Sequence, residues 1–118
     1  MRTNADMTLY ARSISAGAES FTRSVVYGVA WEDRRAANAR LGGDLKADDI
    51  AVFIPMARNV ALKAGDVIVR GVVTDTISSG FTITALRAKY PNSVGTVKSV
   101  DCFDQGSSAL HHWQIGAA

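Results

Sequence analysis

A chain of 118 residues with one cysteine can bury a core without disulfides or metals and is short for two domains, so residues 1–118 read as a single domain. Lysine and arginine outnumber aspartate and glutamate by only 13 to 11, with the signs interspersed, which argues against high-affinity electrostatic binding of nucleic acid and leaves room for a weakly basic lining. No apolar run approaches a transmembrane length and the first residues hold no signal-peptide apolar core, so a soluble product retained where it is made is expected, with Cys102 suiting a reducing cytosol.

Residues 1–6 read as a flexible tail, followed by a short strand in which Met7, Leu9 and Ala11 alternate with Thr8, Tyr10 and Arg12. Residues 12–19 are small and polar around Gly17 and read as a turn. The longest alternating segment comes next, with Phe21, Val25, Tyr27, Val29 and Trp31 in one inward row, interrupted by Arg23. Gly28, in the opposite row, marks a bulge where so long a strand turns a barrel corner. Residues 32–49 lose all periodicity and carry mixed charges, a helix-prone Ala36–Arg40 stretch and the Gly42-Gly43 stop. This is a long inter-strand loop; loops of that length in small domains are usually functional or ordered by a partner, and the alternative is a solvated hairpin tip.

Residues 50–56, IAVFIPM, form a continuous apolar strand with Pro55 placing its end on an edge or at a bulge. The stretch 62–77, LKAGDVIVRGVVTDTI, is the centre of the pattern: a turn at Gly65-Asp66, then Val67, Val69, Gly71 and Val73 on one face. That face reads as core, shared with Val25 and Val29. Asp66, Ile68, Arg70, Val72 and Thr74 make a second face too apolar for water and too polar for another core, which something must partly cover. Gly71 reads as a position of tight coiling or close backbone approach. Thr84 is the expected N-cap of a short helix over residues 85–90, ended by Pro91 and plugging a barrel mouth with Leu86 and Tyr90. In residues 94–104, Val94, Val97, Val100 and Phe103 recur at every third position, so a bulge near Ser99 is required to keep one face inward. A last strand, residues 110–116, sets Trp113 and Ile115 against His112 and Gln114. With valine the leading aliphatic and glycine, serine and threonine frequent, the expected fold is mainly β: a small closed or partly open β-barrel with one short helix.

Little here points to catalysis. His111 and His112 are the chain's two histidines, and adjacent strand residues point to opposite faces, so the pair is a poor start for one metal site. His111 is expected to turn inward with Trp113, and His112 toward a neighbour. Cys102 beside Phe103 reads as a buried small hydrophobe. The chain has no Gly-x-Ser-x-Gly elbow and no phosphate-cradling glycine loop, and its Asp48-Asp49 and Asp101/Asp104 pairs lack calcium-loop spacing. No catalytic residue, cofactor or metal is therefore assigned. The aromatics Phe21, Tyr27 and Trp31 sit in a core-like row and Arg34, Arg35 and Arg40 sit beside acids, a poor match to a single-strand nucleic-acid reader.

The ordered segments MTLYAR, SVVYGVAWEDRRAANARLGG, AVFIPMA, LKAGDVIVRGVV, FTITALRAKYPN, VKSVD and LHHWQIGA together resemble the head-closure, head-tail connector or minor capsid proteins of tailed bacteriophages. The distinctive stretches are Trp31-Glu32-Asp33-Arg34 and Leu110-His111-His112-Trp113-Gln114. The resemblance implies a virion protein without enzymatic activity. It would sit in the neck as a ring of copies of itself, a dodecamer, between portal or adaptor protein and tail-terminator or tail proteins. DNA would pass through the ring's lumen without sequence recognition, and no membrane is involved. Alternatives are a tail-terminator or other minor virion protein, or a free small-barrel binding module. A ring needs two different patches per subunit. From the residues themselves, one is expected on the central strand (Ile68, Arg70, Val72) and one on the long loop (Glu32, Asp33, Arg34, Arg35, Arg40, Leu41, Leu45), with His112 and Gln114 on the last strand.

Overall fold

The computed structural model describes residues 3–33, 50–55, 61–78, 80–103 and 111–118. Among these residues the chain forms six strands, β1 (Ala5–Ser15), β2 (Ala18–Asp33), β3 (Ile50–Pro55), β4 (Val67–Arg70), β5 (Val94–Phe103) and β6 (His112–Ala117), with a short helix, α1 (Ile83–Lys89), between β4 and β5. They close an antiparallel barrel in the order β1-β2-β3-β6-β5-β4, with β4 returning to β1 through Met7↔Arg70 to Tyr10↔Val67. The expected mainly-β barrel is therefore the observed fold.

Two cores divide the apolar residues. Every strand contributes to the first, which is the barrel interior: Met7 and Leu9 from β1, Val26, Val29 and Trp31 from β2, Val52 from β3, Ile68 from β4, Val97 from β5 and Ile115 from β6. The second lies on the opposite face of β1, β4 and β5, where Tyr10, Val67, Val69 and Val94 are covered by Val73 and by Leu86 of α1. The single core expected for Val25, Val29, Val67, Val69 and Val73 is thus corrected. Val29 faces the interior, Val67, Val69 and Val73 belong to the outer cluster, and Val25 is half-buried in neither. Both faces of β4 are closed. Ile68, expected on an interface, is fully buried in the barrel.

The two bulges anticipated from the sequence are present. The β1–β2 register steps from Ala5↔Val29 to Met7↔Val26, so β2 carries an extra residue where Gly28 takes φ +78°, a glycine conformation typical of such a bulge. The insertion shifts the alternation by one, which turns Val26 inward and leaves Tyr27 61% exposed, against the inward row expected for it. On β5, the step from Val97↔Ala117 to Ser99↔Gly116 inserts Lys98. Cys102, beyond that bulge, is exposed rather than buried.

The outer layer is a strap of residues 71–78 laid along β1. Thr8, itself fully buried, donates its hydroxyl to the Gly71 carbonyl (2.7 Å) and accepts from the Val73 amide (3.0 Å). Arg23 Nε donates to the Val73 carbonyl at 2.6 Å, and Tyr10 OH to the Asp75 carbonyl at 2.6 Å. Gly71 departs from its expected role: it lies past the end of β4 at φ +92°, with open space where a Cβ would stand, so it serves the turn of the chain rather than a close approach. The helix begins earlier than expected. Thr82, in extended conformation, caps it by accepting from the Ala85 amide at 3.3 Å, and Thr84 lies inside it. Leu86 packs the helix onto the outer cluster, not into a barrel mouth.

The expected tail and loop boundaries also move. Asn4 pairs its side-chain amide with Trp31, accepting from its N–H at 2.8 Å and donating to its carbonyl at 3.1 Å, and Asp6 accepts from the Gly28 amide, so the strand starts at Ala5. β2 runs on through Glu32 and Asp33, which pair with Ala51 and Ile50. The rest of the expected loop, residues 34–49, lies outside the described residues.

Candidate functional site

Among the described residues, the β1–β2 hairpin runs on past the point where the barrel closes. β1 pairs with β4 only as far as Tyr10, yet β1 and β2 stay paired for five more residues on β1, to Ser15↔Ala18. What read as a polar turn over residues 12–19 is therefore the end of a long hairpin arm. The turn itself is Ala16-Gly17, both at positive φ (53° and 78°), the two-residue geometry whose twist matches paired strands. Residues 13–20 are all exposed, and Ile14 stands 60% exposed near the tip. Ser13 and Ser20 share a hydroxyl hydrogen bond of 2.8 Å, and Arg12 Nε pairs with Glu19 across the strands.

The arm is anchored at its root by Asp66. This carboxylate is fully buried and accepts from the Arg12 amide (2.9 Å), the Lys63 amide (3.0 Å) and Lys63 Nζ (2.9 Å). The Asp66 carbonyl also accepts from the Val97 amide at 2.7 Å, so one turn residue ties β1, β4 and β5 together. A groove of about 580 Å³ runs along the β2 side of the arm, between Glu19, Ser20 and Phe21 and the facing Ile77, Thr82 and Ile83. Phe21, Ile77 and Ile83 are half-buried extensions of the outer cluster, which makes the floor apolar.

Beside the groove, Asp75, Lys89 and Tyr90 hold the strap to the helix. Lys89 Nζ reaches one oxygen of Asp75 at 2.8 Å and Tyr90 OH donates to the other at 2.6 Å. The hydrogen bond from Lys89, then that from Tyr90, holds the Asp75 carboxyl below its ordinary value. The same bonds raise Lys89 and Tyr90, while burial is the main cause that raises Tyr10. Each oxygen of the carboxylate is engaged by a donor of the cluster, so its chemistry is that of a clasp. A depressed carboxyl stabilises the fold above its unfolded pKa and loses that effect as pH falls through its folded one; the raised ammonium and phenols stabilise below their unfolded values and lose it as pH rises. The melting-temperature gap between the parent and Asp75→Asn should therefore be widest between about pH 5 and 9 and narrow outside those limits. A gap independent of pH across that scan would show that the clasp does not hold the strap.

The sequence-derived interface residues scatter. Arg70 and Val72 are exposed, Ile68 is not, and Glu32 and Asp33 are exposed at the end of β2. His112 and Gln114 are half-buried on β6, with the His112 ring 5.8 Å from that of Phe53 on the paired strand. His111 is half-buried too. Arg34, Arg35, Arg40, Leu41 and Leu45 lie outside the described residues. Among the described residues, no group of three or more His, Cys, Asp or Glu is placed to hold a metal ion, and no helix is long and apolar enough to cross a membrane. The arm and groove residues Ile14, Phe21, Ile77 and Ile83 were missed as a surface. Their signal was the alternation Tyr10-Arg12-Ile14 continuing through a stretch that its small polar composition disguised as a turn.

Residues 2–118 match the family model described as "Family of unknown function (DUF6751)". No curated protein and no solved structure matches the chain.

Proposed function

We propose a structural role for this chain, which belongs to the DUF6751 family of unknown function: a virion protein of a tailed phage, a head-closure or head-tail connector subunit that forms a ring in the neck. The observation that carries the reading is the hairpin arm. A closed barrel hides its strand edges, so a two-stranded arm that outruns closure is where backbone pairing with another chain is available. Its two edges differ, one on β1 and one on β2, and unlike edges suit the head-to-tail contacts from which rings are built. The resemblance of the Trp31-Glu32-Asp33-Arg34 and Leu110-His111-His112-Trp113-Gln114 stretches to neck proteins supplies the setting. In that setting the neck ring joins portal or adaptor to tail and lets DNA pass, and the chain performs no reaction.

The test is particle composition. Mass spectrometry of purified virions should find the protein at the copy number of one ring, on the order of twelve per particle, and particles made without its gene should accumulate as DNA-filled heads that fail to join tails. Its absence from virions, or tailed particles in normal yield without it, overturns the proposal. Heads that carry tails of irregular length would instead assign it to the tail terminator.

A further inference from the structure

Resting on the ring reading, we infer that the groove beside β2 receives the hairpin arm of a second copy, with Ile14 as the inserted side chain. The backbone geometry sets both edges. Arg12 turns its amide away from β2, to Asp66 at 2.9 Å, and because strand residues repeat their direction every second position, Ile14 turns its own amide and carbonyl the same way, toward the outer edge of β1. Phe21 is paired with Arg12 and Glu19 with Ile14, so those two residues present their backbone groups on the opposite edge, along the groove. One arm therefore offers a donor edge on β1 and a receiving edge on β2.

Side chains follow the same order. Arg12, Ile14, Glu19 and Phe21 share one face of the arm, the face on which Ile77 and Ile83 wall the groove. A second arm added to β2 in the same sheet sets its Ile14 over that apolar floor. Its Arg12, two residues away on the same face, then approaches the Glu19 carboxylate on the groove's wall, as Arg12 and Glu19 already meet within the arm. An exposed isoleucine, a groove with an apolar floor of Phe21, Ile77 and Ile83 under a polar rim, and complementary charges on one chain describe a heterologous contact, because the knob and the groove lie on different edges.

The experiment uses the full chain in a Cys102→Ser background, with a single cysteine placed by Ile14→Cys in one preparation and Thr82→Cys in another. Mixed and treated with a short bismaleimide, the two should yield a crosslinked pair joining position 14 to position 82, and neither preparation alone should crosslink comparably. A crosslink between two copies of position 14 means a two-fold contact and overturns the inference, as does no crosslink at concentrations where the parent associates, or a parent that stays monomeric throughout. Alongside, Ile14→Asp should weaken association at least about tenfold, and high salt should weaken the parent's, while the variant's monomer melts as the parent does. Unchanged association of Ile14→Asp also overturns it. Presence of the protein in virions with no crosslink between positions 14 and 82 would leave the ring reading standing and remove this contact alone.

Discussion

Ile68→Asp and Val69→Asp, substitutions at neighbouring residues, are each expected to unfold the chain at ordinary temperature. Neighbours in a strand face opposite ways, so on a one-sided sheet one of the two would tolerate a carboxylate. Here Ile68 is fully buried in the barrel and Val69 fully buried in the outer cluster beneath Leu86. An unpaired charge at either place costs several kcal/mol, a large share of the roughly 5–15 kcal/mol that holds ordinary domains. Ile68→Ala, which only leaves a cavity, should cost about 2–5 kcal/mol and still fold. Urea melts of the three variants decide the matter. A Val69→Asp protein that melts with the parent would mean that the strap and α1 do not cover β4.

Asp66→Ala is expected to lower stability by about 3 kcal/mol, or on the order of 10 °C in melting temperature. The loss comes from the donors left behind. The Arg12 and Lys63 amides lose their acceptor, whereas Lys63 Nζ, on a side chain 60% exposed, turns to water. Asp66→Asn keeps one carbonyl oxygen and should cost less. Because Arg12 is where β1 leaves the barrel, hydrogen exchange in Asp66→Ala should rise first in the arm, at residues 12–15 and 18–22, and only later in β3 and β6. Uniform exchange across the barrel would show that the carboxylate holds the fold as a whole rather than the root of the arm.

Much of the barrel was legible because alternation and bulge chemistry are local. The strand at Ile50–Pro55 follows from a continuous apolar run, and the bulges at Gly28 and near Ser99 follow from a glycine in a long strand and from apolar residues spaced by three where a single face needs two. Short-range composition misled elsewhere. Ala16-Gly17 makes a two-residue turn, yet serines and alanines around it read as a longer one, which concealed Ile14 and the arm. The expected flexible tail ended too late because Asn4 and Asp6 find their partners on β2, at Trp31 and Gly28.

What the sequence determined by itself was the β class, the succession of strands along the chain and, on the central strand, one apolar row opposed by a half-apolar one. Which row faces the barrel was decided only by the tertiary structure. Val67/Val69 and Ile68 are equally apolar, so periodicity assigns them to two faces without saying which is inside. The choice rests on contacts distant in sequence: Ile68 meets residues from the whole ring of strands, and Val67 and Val69 meet a strap that Arg23, Thr8 and Tyr10 pin from 50, 63 and 65 residues away. The candidate surface follows the same rule, because an open edge is defined by where β4 stops pairing with β1, a property of the closed barrel and of no single stretch of chain.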